Sequence, residues 1–111
     1  MAEAARTFGK YISEVRKERG LSQKQLAELI EREEGGSISA QYLNDIEHDR
    51  RSPSSDHMIQ QFARVLKVSS NYLYYLVGRM PAIVRQANVP PQKVDEWVAA
   101  FRRANPTKRK G

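Results

Sequence analysis

The sequence predicts an all-α fold, with five helices across residues 7–78 and a helical extension over 79–105. Three observations predict it. Apolar residues recur at three- and four-residue intervals along most of the 111 residues, the period of a helix that buries one stripe. Serine, glycine or proline stands at the joints between these stretches, where chains enter and leave helices. No stretch alternates apolar and polar residues over the length of a strand.

In chain order, Phe8, Tyr11, Ile12 and Val15 form the first apolar stripe, and Gly20 closes that helix. Ser22 stands as N-cap of a second helix with Leu26, Leu29 and Ile30 inward, ended by the polar turn from Glu31 to Gly36. Ser39 caps a short third helix. At 100° per residue, Tyr42, Leu43, Ile46 and Glu47 fall on one side of it, and Ala40, Gln41, Asn44, Asp45 and His48 on the other. Pro53 breaks the next loop, and Ser55 caps a fourth helix with Met58, Ile59, Phe62, Val65 and Leu66 inward. Ser69 or Ser70 opens a fifth, carrying Tyr72, Leu73, Leu76 and Val77 and ending at Gly78. A weaker segment with Ile83 and Val84 follows Pro81. Pro90 and Pro91 then introduce a last helix with Val94, Trp97, Val98 and Phe101 on one stripe. Asn105-Pro106 stops it, and residues 106–111 form a basic tail expected to be disordered.

Composition excludes more than it selects. There is no cysteine, hence no disulfide, thiolate metal site or cysteine nucleophile. No cofactor is expected, and the two histidines, His48 and His57, lack a surrounding carboxylate cluster, so no metal is expected either. A Gly-rich phosphate loop and a Ser/His/acid arrangement are both missing, so an enzyme is not expected. The N-terminus has no apolar signal core and no run reaches membrane-spanning length, which points to a cytoplasmic protein that does not engage the membrane. The net charge of +6 is uneven: basic and acidic residues cancel over 1–70, and the whole excess lies in 71–111. A basic excess suits a polyanion, but here it sits away from the most informative motif.

That motif is Val15-Arg16-Lys17-Glu18-Arg19-Gly20-Leu21-Ser22-Gln23-Lys24-Gln25-Leu26-Ala27, followed by Ile38-Ser39-Ala40-Gln41-Tyr42-Leu43-Asn44-Asp45-Ile46-Glu47 and Arg50-Arg51-Ser52-Pro53-Ser54. It resembles the phage-repressor (Cro/repressor, or Xre) helix-turn-helix family over roughly residues 7–78. The resemblance implies a five-helix repressor-like domain whose third helix enters the major groove of double-stranded DNA, with the positions of Ala40, Gln41, Asn44 and Asp45 facing base edges. Gln and Asn can bond adenine N6 and N7 together, Ala can touch a thymine methyl, and Asp either accepts from cytosine N4 or pairs with a neighbour. The resemblance also gives Gln23 a phosphate contact that braces the reading helix, and Arg16 and Glu47 a shielded structural ion pair. The helix starts at Ser22 and Ser55, with Arg50 and Arg51, are placed to hold phosphates. One departure stands out. About five extra residues lie around Glu33 to Ser37, either lengthening the second helix or looping outward.

The stripe of Val94, Trp97, Val98 and Phe101 either closes the core or mediates dimerisation, with the second favoured. The basic residues after it are a solvated tail or an auxiliary phosphate arm. The expected function is a sequence-specific transcriptional regulator, a repressor that binds a pseudo-palindromic operator as a homodimer. The alternative is an antitoxin-like module of the same fold that binds a toxin or other protein partner.

Overall fold

The computed structural model describes residues 6–105, and among them the chain forms seven helices. These are α1 (Phe8–Glu18), α2 (Gln23–Leu29), α3 (Ala40–Glu47), α4 (Asp56–Leu66), α5 (Ser70–Val77), α6 (Ala82–Arg85) and α7 (Pro91–Ala104). The expected disordered tail, 106–111, lies outside the described residues. The chain divides into two compact units at Pro81 and Ala82.

Each of the first five helices begins the same way, for a local reason. The first turn of a helix leaves backbone N–H groups without partners, and a hydroxyl just ahead can accept from one. Thr7, Ser22, Ser39, Ser55 and Ser69 accept from the N–H groups of Lys10, Gln25, Tyr42, Met58 and Tyr72. At α2 the cap is reciprocal, because Gln25 Oε1 accepts from the Ser22 N–H at 2.8 Å. Such caps are worth about 1 kcal/mol each.

These starts point one apolar face of each helix at a shared centre. Ile12, Leu26, Ile30, Leu43, Ile46, Ile59, Phe62, Leu66 and Leu73 are fully buried there. Phe8 meets Phe62 edge to face at 5.7 Å. Tyr11, Val65, Leu76 and Val77 pack partly buried around this core. Leu29 departs from the expected inner face and is 49% exposed. Leu26 and Ala27 occupy one arc of α2, with Ile30 just past the end of the helix, and Leu29 lies roughly 110° from the middle of that arc at 100° per residue. Ala27 takes the inward place, where its small side chain lets α2 approach α3.

The extra residues after α2 form a closed hairpin rather than more helix. Ile30 leaves α2 in an extended conformation, and Glu31 bridges Ser37 antiparallel. The Arg32 N–H donates to the Gly36 carbonyl at 2.8 Å and the Ile38 N–H to the Ile30 carbonyl at 3.1 Å. Gly35 and Gly36 turn the tip at φ 103° and 77°, where a side chain would be strained. Ile30 and Ile38 anchor both ends in the core. Two α4 side chains fasten the base: Gln61 Oε1 accepts from the Glu31 N–H at 3.0 Å, and His57 Nε2 donates to the Glu31 carbonyl at 2.9 Å.

The second unit contains α6, a single turn, and α7. Pro91 opens α7 at a position where its missing N–H would have had no helical partner. No residue of α7 is buried. Among the described residues no helix is long and apolar enough to cross a membrane.

Candidate nucleic-acid interface

The inward side of α3 is held by packing and by charge. Leu43 and Ile46 are fully buried, and Glu47 beside them is buried as well. The Arg16 guanidinium grips the Glu47 carboxylate through two parallel bonds, Nε to Oε2 at 2.6 Å and Nη2 to Oε1 at 3.0 Å. Its remaining nitrogen, Nη1, donates to the Leu21 carbonyl at 2.8 Å. Gln23 joins this group from the first turn of α2. Its Nε2 donates to Glu47 Oε1 at 2.9 Å and to Asn44 Oδ1 at 3.0 Å. One ion pair thus ties α1, α2 and α3 together and reaches a residue on the outer rim of α3.

The outward side is polar and accessible. Ala40, Gln41 and His48 are exposed, and Asn44 and Asp45 are half-buried. Gln41 Nε2 donates to Asp45 Oδ1 at 3.1 Å, one helical turn along. Asp45 also receives Arg50 Nε at 3.2 Å, and Arg51 Nε lies 3.6 Å from its other oxygen. Desolvation works to raise the Asp45 pKa, but the hydrogen bonds from Arg50 and Gln41 and the charges of both arginines outweigh it, holding the carboxyl below its ordinary value. The acid therefore stays ionised and neutralises part of the loop's positive charge. Arg51 also lies over the Tyr42 ring, 5.3 Å from its centre.

The residues expected at the phosphate backbone are spread over three elements. Ser22 and Ser55 use their hydroxyl oxygens to accept from N–H groups of their own helices, which leaves each O–H, with the main-chain N–H groups of the first turn, as a donor for a phosphate. Gln23 directs both amide hydrogens into the protein, so it braces α3, and its side chain has no N–H left for a phosphate. The side chains of Arg50 and Arg51 remain more than half exposed despite their pairing with Asp45. The starts of α3 and α4 share an open groove of about 310 Å³, lined by Ser39 and Ser55 with Arg32, Tyr42 and His57.

Two residues that hold the domain around α3 have partners that carry no clear signal in the sequence. Asp49, in the left-handed conformation at φ 60°, accepts from the Gly9 N–H at 3.2 Å and the Thr7 hydroxyl at 2.8 Å. It thereby fastens the end of α3 to the start of α1. Gly9 permits the approach, since a methyl group there would overlap the carbonyl oxygens of Ile46 and Glu47. An Asp just after a helix is a local signal for such a turn; its partners forty residues away are not local. Tyr74 is the second: it is buried, and its hydroxyl donates to Asp56 at the start of α4.

In the second unit, Val94, Trp97, Val98 and Phe101 share one face of α7 and are 36%, 41%, 46% and 60% exposed. Lys93 and Glu96 pair beside them at 3.1 Å.

Residues 12–73 match the sequence model of the helix-turn-helix family (HTH_3). The backbone is similar to a chain of the solved SinR protein/SinI protein complex, with a TM-score of 0.50 and 21% identity, covering 91% of this chain and 100% of that one. At that identity the likeness concerns the fold: an all-helical repressor-like architecture with a C-terminal helix. No curated protein matches the sequence at a significant level.

Proposed function

The chain belongs to the helix-turn-helix family of DNA-binding regulators, and from that premise we propose that it is a repressor, binding a pseudo-palindromic operator through the major groove as a homodimer. The observation that carries the reading is the division of α3. Its inner side is fixed by Leu43, Ile46 and the Arg16–Glu47 pair, and its outer side offers Ala40, Gln41, Asn44 and Asp45. A rigid helix with a polar outer row is the geometry that direct readout requires. Residues 7–78 do the reading. Arg50, Arg51 and the N–H groups after Ser22 and Ser55 hold the backbone, which positions the helix without reading sequence. Asp45 serves mainly to aim the two arginines.

One reading helix spans only a few base pairs, and two half-sites about 34 Å apart give useful specificity. Residues 79–105 supply the second requirement, with the exposed α7 stripe packing against its copy across a two-fold axis. Occupancy of the duplex is sufficient for repression. A second reading, in which the same stripe binds a toxin or other protein, draws on the same exposed face.

Selection of bound fragments from random DNA with the full-length protein tests the reading, together with light scattering of the parent and a Trp97→Glu/Phe101→Glu variant. An enriched inverted repeat, a dimeric parent and a monomeric variant are expected. Fragments without a common sequence sink the proposal. A parent that is monomeric alone and binds a co-expressed protein favours the second reading.

A further inference from the structure

Asn44 and Gln41 are both carboxamides on the outer side of α3, but their surroundings leave them different atoms to offer. The difference begins at Glu47. An ionised carboxylate can only accept, so the Gln23 atom 2.9 Å from Glu47 Oε1 must be its nitrogen, Nε2. That same nitrogen lies 3.0 Å from the Asn44 side chain, so the atom facing it must be the acceptor, Oδ1. Reversing the Asn44 amide would set two NH₂ groups against each other and strand a Gln23 hydrogen. The orientation of Asn44 is therefore inherited from the buried Arg16–Glu47 pair through Gln23. What remains to it is Nδ2, which has no protein partner among the described residues. Gln41 is anchored differently. It gives one N–H to Asp45 and keeps its other N–H together with Oε1, the donor and acceptor that adenine matches.

We infer that Asn44 reads as a hydrogen-bond donor only, set in that state by Gln23, so that the base it faces is guanine or thymine, while Gln41 keeps the adenine pattern. The inference rests on the proposed DNA-reading role of α3. In the major groove guanine presents N7 and O6 and thymine presents O4, all acceptors, whereas cytosine presents only the N4 donor. Adenine presents the acceptor N7 as well, but beside it stands the N6 amino group, which calls for the Asn44 oxygen. With that oxygen engaged toward α2, adenine gets one bond and an opposed amino group, and so ranks below guanine and thymine.

The test is selection from random DNA with full-length parent, Asn44→Asp, Asn44→Ala and Gln23→Ala proteins, each first checked for a cooperative thermal transition. Asn44→Asp replaces the outward N–H groups by an acceptor and leaves Gln23 its partner. At one position per half-site the preference should pass from guanine or thymine to cytosine or adenine, by roughly tenfold or more. Asn44→Ala should erase preference at that position. Gln23→Ala should admit adenine there and leave the other positions unchanged, which a purely structural brace would not do. A parent preference for cytosine or adenine at the responding position overturns the inference, as does an unchanged preference in Asn44→Asp or in Gln23→Ala. If the parent enriches no sequence, the reading role itself fails, a result distinct from an enriched site that responds the wrong way.

Discussion

Glu47 and Asp45 stand two residues apart on α3, and each is held by arginine, yet one side chain is 3% exposed and the other 21%. On the inner side Arg16 meets Glu47 with two parallel bonds, out of water, and a third helix is tied in through Gln23. On the outer side Asp45 collects Arg50, Arg51 and Gln41 where solvent reaches them all. The first cluster sets where the helix lies. The second sets where loop charges wait before a partner arrives. Shared chemistry on one helix therefore does different work according to its access to water, because desolvation strengthens a paired charge and punishes an unpaired one.

Breaking the inner cluster should have the largest effect. Glu47→Ala leaves Arg16 buried without its carboxylate, and a loss of roughly 3–5 kcal/mol is expected. Chemical denaturation of parent and variant measures it, and an unchanged midpoint would mean that water already reaches the pair. Next comes Gln41→Ala, which should leave stability intact but remove about 1–3 kcal/mol of discrimination at one base position per half-site. Competition binding with specific and random duplexes decides that, and equal weakening on both would remove Gln41 from the readers. Arg50→Ala with Arg51→Ala should weaken binding to all sequences alike. The slope of log K against log salt should flatten by roughly one for each phosphate that the variant no longer neutralises, and an unaltered slope returns both arginines to ordinary surface charge.

The smallest effect belongs to titration of Asp45. Its carboxyl is held below its ordinary value, so its pairing contributes wherever the carboxylate is ionised and fades as pH falls through the lowered value. Between pH 7 and pH 5 an Asp45→Asn variant and the parent should therefore differ by a constant amount in thermal midpoint. The gap should narrow only in acid below about pH 4. A gap that closes near neutrality would show that another group is responsible.

The elements of the first unit are legible in the sequence because their causes are local. A hydroxyl ahead of an apolar period announces a cap, and Ser22, Ser39 and Ser55 all cap their helices. The inward faces of α1, α3 and α4 follow from spacing for the same reason. Leu29 misleads because its three-residue spacing from Leu26 fits the stripe, while the less apolar Ala27 holds the inward place. What the sequence leaves undecided needs partners distant along the chain. The Gln23–Asn44 bond joins residues 21 apart, and the Asp49 bonds span 40 or more. Charge is a poor guide as well, since the outer row of α3 lies in the part of the chain whose charges cancel.

The hairpin between α2 and α3 offers a handle for engineering. Its ends, Ile30 and Ile38, are anchored side by side, so the tip at Gly35 and Gly36 is a closed circuit through which α3 transmits no load. Lengthening such a loop costs only about 0.6 kcal/mol for each doubling. A fluorophore or short epitope grafted there would travel with α3 at a fixed offset. It would give an optical record of docking from a position that neither of the α3 charge clusters occupies.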